Sequence, residues 1–175
     1  SNNWGRGSLP GVYREPDLQV TNLRVSNAVP AAGDSFSVDW SVANLGTRDT
    51  RERVWMDRVF LSKDASLDAG DIELGFRQRD GQNGVLAIGQ RYDASLEVRL
   101  PDGIDGDHYL LAFTDATANG TIGRPGLWTN GNSMGSVPEF RDEGNNLTAL
   151  PLPITPVPPP DLRVTSVIAT GPDPA

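Results

Sequence analysis

Four oxygen-bearing side chains fall within eight residues in Asp64-Ala65-Ser66-Leu67-Asp68-Ala69-Gly70-Asp71, with Glu73 just beyond. The oxygens sit at positions 1, 3, 5 and 8 of that stretch, and Gly70 allows a tight turn. This spacing suits a hard cation: alternate oxygens converge on calcium in the first half of an EF-hand loop, and a backbone carbonyl near the glycine adds a donor. The departures are specific. Ser66 stands where Asp or Asn is usual, the glycine comes one position late, and the place of the bidentate glutamate is taken by Gly75. The same residues also make an Asx-rich hairpin turn in which each carboxylate caps backbone amides. Two readings follow: structural calcium held by Asp64, Ser66, Asp68, Gly70 and Asp71, or a capped turn.

A second candidate site lies in residues 118–136, where five glycines surround Asn119, Trp128, Asn130 and Asn132 without hydrophobic periodicity. Loops of that length are commonly functional. Trp128, with Asn130 beside it, offers an aromatic face and an amide that suit a sugar ring; the alternative is that the loop packs onto the body of the domain. Asp102, Asp105 and Asp107 alternate with glycines and read as turn chemistry. Asp115 and Asn119 with Glu139, Asp142 and Glu143 could meet from two sides of the inserted loop. For catalysis the inventory is thin. The chain has one histidine, His108, no cysteine and no His-Glu-x-x-His, so no cysteine nucleophile or zinc site is written in it. His108 reads as a solvent-facing structural residue, and no two of the many carboxylates stand out as an acid and base pair.

The elements that must position these residues are strands. Phe36, Val38, Trp40 and Val42 alternate with Ser35, Ser37, Asp39 and Ser41, and Tyr92, Ala94, Leu96, Val98 and Leu100 alternate with Asp93, Ser95, Glu97 and Arg99, the pattern of half-buried strands. Leu18 and Val20 share one phase while Leu23 and Val25 share the other, which predicts a bulge in the first strand. Further strands are predicted over 54–62, 71–79, 107–115 and 147–154. Trp40 or Trp55 is the candidate core tryptophan, and Tyr109 is either a tyrosine-corner residue or a plain core tyrosine. Pro151 and Pro153 fall on one phase of the last strand, so it belongs at a sheet edge, where missing amide donors do no harm. Turn formers such as Ala32-Gly33-Asp34, Asn44-Leu45-Gly46, Asp80-Gly81 and Asp102-Gly103 separate the strands. The expectation is an all-β, immunoglobulin-like or fibronectin-like β-sandwich of about seven strands.

Charge narrows the partners. Acidic residues outnumber basic ones 23 to 15, for a formal charge of −8, which opposes nucleic-acid binding. No apolar run is long enough to span a bilayer, so no membrane insertion is expected. Absence of cysteine is compatible with export.

Pro16-Asp17-Leu18-Gln19-Val20-Thr21 returns as Pro160-Asp161-Leu162-Arg163-Val164-Thr165, and Pro30-Ala31 returns as Pro174-Ala175, both at an offset of 144 (160 minus 16). Self-similarity at a domain-sized period points to a tandem array. The expected division is 1–15 as tail and linker of a preceding unit, 16–154 as one sandwich with 118–136 inserted, 155–160 as a linker with four prolines, and 161–175 as the start of the next unit.

Pro16-Asp17-Leu18-x-Val20, Trp40-x-Val42-x-Asn44-x-Gly46, Trp55-x-Asp57-x-Val59-Phe60-Leu61-Ser62-x-Asp64-x-x-Leu67-Asp68-x-x-Asp71, Tyr109-Leu110-Leu111 and Glu143-x-Asn145-Asn146 together resemble the bacterial cell-adhesion-related domain CARDB. The resemblance covers 16–154. It implies a sandwich, often in tandem, within large secreted or surface-attached bacterial proteins that also carry calcium-dependent repeats or enzyme domains. The departure is the insertion between Asn119 and Val137, where the family more often runs briefly from the Asp115 segment to the Glu143 segment. The function expected is a non-catalytic spacer and adhesion module of an exported repeat protein, stabilised by calcium. Its partners would be adjacent units and a cell-surface or matrix polysaccharide or protein. The alternative is a carbohydrate-binding module using the 118–136 loop.

Overall fold

The computed structural model describes residues 14–116, 136–139, 143–158 and 161–167. Seven strands follow in order: β1 (Leu18–Val25), β2 (Ser35–Asn44), β3 (Trp55–Ser62), β4 (Ile72–Arg79), β5 (Arg91–Arg99), β6 (Gly106–Ala116) and β7 (Leu147–Ile154). A 3₁₀ turn (Glu143–Asn145) precedes β7. The strands form a three-stranded sheet, β1-β2-β5, and a four-stranded sheet, β4-β3-β6-β7, with every pair antiparallel. The fold is therefore the expected all-β sandwich. Its fourth strand lies beside β3, whereas the constant immunoglobulin arrangement gives that strand to the other sheet.

Alternation decides which faces meet. Phe36, Val38, Trp40 and Val42 of β2 are buried against Trp55, Val59 and Leu61 of β3, Leu110 and Ala112 of β6, and Leu152 and Ile154 of β7. Both candidate tryptophans are core residues, Trp40 and Trp55 being 2% and 1% exposed. The β1 bulge falls between Val20 and Asn22, where the register against β2 shifts by a residue; this lets Leu23 and Val25 also turn to the core. β7 is an edge strand, and its Pro151 and Pro153 point outward opposite Tyr109 and Asp107.

The four-stranded sheet is apolar on both faces. Phe60, Leu111, Phe113 and Ala116 form a second buried cluster on the outer face, flanked by Met56, Leu67, Tyr109, Leu147 and Ala149. Tyr109 thus lies half-buried beside that outer cluster, not in the central core. His108 corrects the sequence reading: it shares the inward phase of Leu110 and Ala112 and is 4% exposed, with Nδ1 3.1 Å from the Gly106 carbonyl oxygen. Strand phase, not polarity, sets its direction.

Candidate functional site

The 64–71 segment folds as a turn that caps itself. Asp64 Oδ1 accepts from the Ser66 N–H at 2.8 Å, Asp68 Oδ1 from the Gly70 N–H at 2.6 Å, and Asp71 Oδ2 from the Asp68 N–H at 2.8 Å. A backbone bond from Asp71 N–H to the Asp68 carbonyl closes the turn at 3.3 Å. Ser66 enters through its amide, and Leu67 between the acidic residues anchors the turn to the outer apolar cluster. The donor chemistry suits a hard cation, but each aspartate commits one oxygen to an amide. Among the described residues no three carboxylate or imidazole groups converge as a metal would require. The positioning is that of an Asx-capped hairpin turn. Trp128 and Asn130 lie outside the described residues, as does Asn119.

A buried carboxylate that carries no chemical role in the sequence reading lies at the centre of a perturbed polar group. Asp57 of β3 points inward between the sheets and is 2% exposed. Its Oδ2 accepts from Trp40 Nε1 at 2.9 Å and from the Tyr92 hydroxyl at 2.8 Å, and its Oδ1 from Thr114 Oγ1 at 2.7 Å. Trp55 Nε1 donates in turn to the Tyr92 hydroxyl at 2.8 Å. Four strands, β2, β3, β5 and β6, are tied at one carboxylate. The Arg79 guanidinium covers this knot from outside, 4.5 Å from the Trp55 ring centre and 5.5 Å from that of Tyr92. It is held there by the Gly84 carbonyl at 2.9 Å and by the Arg53 carbonyl.

Burial pushes the Asp57 carboxyl up from 3.8 to about 6, against the pull of the Thr114, Trp40 and Tyr92 hydrogen bonds and the Arg79 charge. Burial and then the Asp57 charge push the Tyr92 hydroxyl far upward, so it stays a donor. Burial lowers Arg79, opposed by the charges of Tyr92, Asp80 and Asp57. A recess of about 210 Å³ opens at the knot, lined by Asp57 together with Arg77, Arg79, Asp80, Asn83 and Tyr92. Both Asp57 oxygens already accept hydrogen bonds from protein donors, so the carboxylate holds the strands together.

A third polar group gathers where the chain enters the sandwich. Leu18 N–H donates to Glu139 Oε1 at 2.8 Å, and Asn145 Nδ2 to Asp17 Oδ1 at 2.9 Å. The Asn146 amide, assigned with its nitrogen toward these acceptors, reaches the Leu18 carbonyl at 2.6 Å and Glu139 Oε2 at 3.2 Å. Asp115, wholly buried at a φ of 60°, accepts from Ser136 N–H at 2.8 Å and Val137 N–H at 3.0 Å. Asp115 and Glu139 do approach one end of the sandwich, as the sequence suggested, and their work is to fasten the 136–139 segment and β1. Gly46 permits the clasp: a Cβ there would come within 2.6 Å of Asp17 N.

No protein-family model matches this chain, and no curated protein matches it in sequence. Solved structures do match. The CARDB domain of a Pyrococcus furiosus protein, crystallised in complex with di-metal ions, aligns with a TM-score of 0.52 at 14% identity, covering 84% of this chain and 100% of that domain. The solution structure of the same domain gives 0.51 at 15% identity, with 81% and 97% covered. The fold is that of a CARDB domain. The multi-part resemblance over 16–154 had implied this architecture, and the CARDB fold explains why its motif residues stand together. Trp40 and Asp57 share a hydrogen bond, Asn44 Oδ1 accepts from Asp17 and Gly46 N–H, and Asn145 reaches Asp17.

Proposed function

We propose that this chain is a non-catalytic, adhesion-related module that holds neighbouring units of an exported bacterial surface protein apart and presents their loops. The observation that carries this reading is the use of its buried polar groups. Asp57, Asp115 and Glu139 each accept hydrogen bonds from the protein itself, and no cluster of acid, base and nucleophile faces a cavity among the described residues. The CARDB fold supports the adhesion-related role. Among the described residues no helix is long and apolar enough to cross a membrane. The partners proposed are adjacent units and a cell-surface or matrix polysaccharide or protein. Glycan arrays and whole-cell binding with the purified chain test this reading. Hydrolysis of a polymer, lost on one carboxylate substitution, would overturn it. Glycan binding lost in Trp128→Ala would replace it with the carbohydrate-binding alternative.

Calcium belongs to the same proposal as a structural ligand of the 64–71 turn. Side-chain oxygens of Asp64, Ser66, Asp68 and Asp71 and the Gly70 carbonyl would hold it, supplying charge neutralisation for an acidic turn. Its support is the oxygen-rich donor set and the di-metal complex of the Pyrococcus domain. Gathering these donors about one ion requires the self-capped turn to move, so the affinity expected is weak, on the order of 10⁻⁴ to 10⁻³ M. Calorimetry and melting with calcium or chelator, in the parent and in Asp68→Ala, read it directly. No heat and an unchanged Tm in the parent would leave the turn capped and metal-free.

A further inference from the structure

The two sheets end in the edge strands β1, β5, β4 and β7, and all but β5 are blunted against strand addition. β1 is broken by its bulge between Val20 and Asn22, and its backbone is taken by Glu139 at the Leu18 N–H and by the Thr148 hydroxyl at the Val20 carbonyl. β4 slips in register against β3 between Val59 and Phe60. In β7 the bond from Thr114 N–H to the Asn146 carbonyl sets the alternation, so Pro151 and Pro153 take backbone positions that face away from β6 and offer no donor. β5 carries none of these devices. It pairs with β2 in unbroken register, from Ser35 opposite Arg99 to Ala43 opposite Arg91, and contains no proline, glycine or lysine. The bonds that bracket this pairing, Asn44 N–H to the Gln90 carbonyl and Leu100 N–H to the Asp34 carbonyl, are both 2.9 Å. Alternation therefore turns the even-numbered backbone groups of β5 to β2 and leaves those of Arg91, Asp93, Ser95, Glu97 and Arg99 facing outward. Recesses of about 590 and 210 Å³ open on the outer face of the strand and on its β4 side, and both reach Asp93 and Ala94. On the inner phase Tyr92, Ala94 and Leu96 are only half-buried.

We propose that the open edge of β5 pairs with β5 of a second copy, antiparallel about a two-fold axis at Ala94, and so joins two three-stranded sheets into one. The charges choose the register. An axis at Ser95 would set Arg91 against the partner's Arg99 and Asp93 against the partner's Glu97, and like charges directly opposite repel. An axis at Leu96 would set Asp93 against the partner's Arg99, which Asp102 already holds at 2.9 Å. The axis at Ala94 sets Arg91 against the partner's Glu97, Asp93 against the partner's Ser95 and the half-buried Tyr92 against the partner's Leu96. Neither Arg91 nor Glu97 has an ion-pair partner among the described residues, and this register gives one to both. Odd residues meet odd residues, so the outward N–H and carbonyl groups from Arg91 to Glu97 all gain partners. The contact is isologous and side to side. It needs no free chain end and leaves Leu18–Val25 in place. One strand edge buries little area, which makes the dimer weak. The inference names a second copy as a protein partner and rests on the proposed adhesion role only for that setting; pairing of the purified chain stands or fails separately from glycan binding and hydrolysis.

Sedimentation velocity of the 175-residue chain should show a monomer passing to a dimer between about 10⁻⁵ and 10⁻³ M, the range of a small interface. Ser95→Pro removes an outward N–H that β2 does not use, and should keep the chain monomeric with its fold intact. Glu97→Arg sets like charges opposite each other at both symmetry-related places and should weaken the dimer by about tenfold. Adding Arg91→Glu to that variant restores opposite charges and should return the dissociation constant to within about threefold of the parent. Hydrogen exchange read residue by residue separates edge pairing from nonspecific association without any variant. Amides of Arg91, Asp93, Ser95 and Glu97 should gain protection as concentration rises, while those of Tyr92, Ala94 and Leu96, already bonded to β2, stay constant. A chain still monomeric at about 10⁻³ M, or exchange at the odd positions indifferent to concentration, would overturn the proposal. So would a dimer that survives Ser95→Pro, or one that the paired charge reversal fails to restore.

Discussion

Asp57→Asn separates two forces that oppose each other at one carboxylate. Burial favours the neutral acid, whereas hydrogen bonds from Trp40, Tyr92 and Thr114 favour the ion. A carboxyl raised from 3.8 to about 6 carries about 3 kcal/mol of penalty when ionised, at about 1.36 kcal/mol per pH unit. The sign is set by linkage. Between pH 3.8 and about 6 the native state binds more protons at Asp57 than the unfolded chain does. The contribution of this group to stability is therefore highest below pH 3.8 and falls as pH rises through about 6. Asparagine is nearly isosteric and does not titrate, so urea unfolding of parent and variant from about pH 4 to 7.5 isolates the term from every other carboxylate. The parent should lose about 2 to 3 kcal/mol relative to Asp57→Asn across that range. Which donor the amide fails to match fixes only a constant offset, since Trp40 Nε1 cannot turn its hydrogen away and the Thr114 hydroxyl can. A parent that instead gains on the variant as pH rises would refute the reasoning, because hydrogen bonding would then outweigh burial. A flat difference would refute it equally.

Trp40→Ala should cost about 3 to 5 kcal/mol in chemical denaturation, through the cavity left in the core and the lost bond to Asp57. Asp115→Ala should cost about 2 to 4 kcal/mol, because it strips an acceptor from the buried Val137 amide and from that of Ser136 and puts alanine at a φ of 60°; a loss below about 0.5 kcal/mol in the same assay would show that neither bond matters.

Strand existence and phase were legible in the sequence because a two-residue period leaves little freedom once one face is apolar. The β1 bulge, the edge position of β7 and the two core tryptophans all follow from that rule. The rule also contained the signal for His108, which polarity misplaced, and for Asp57, which the sequence reading left without a role. Asp57 shares its phase with Trp55, Val59 and Leu61, and His108 shares its phase with Leu110 and Ala112. Read strictly, both had to point inward; read by polarity, His108 belonged outside. What no period encodes is the partner list, because Trp40, Tyr92 and Thr114 come from three other strands and meet Asp57 only after the sheets have stacked. The 64–71 turn was ambiguous for a different reason. Capping and calcium binding use the same oxygens, and one-dimensional spacing cannot tell an amide hydrogen from a cation.

Asp57 also explains how a sandwich built from short strands fixes the stacking of its two sheets. Apolar faces slide past each other with little directional preference, since burial is proportional to area and not to angle. A carboxylate in the middle of that interface removes the freedom. Its bonds to Trp40 and Tyr92 cross from the four-stranded sheet to the three-stranded one, while the bond to Thr114 stays within its own sheet. Any slide of one sheet over the other would strand a buried charge, at a cost of several kcal/mol. Arg79, seated over Trp55 and Tyr92, closes the solvent side of the same joint. Fixed stacking keeps the two ends of the sandwich in a constant relation, as the proposed spacer role requires. The start of β1 and the Thr155 exit lie at opposite ends of this locked body.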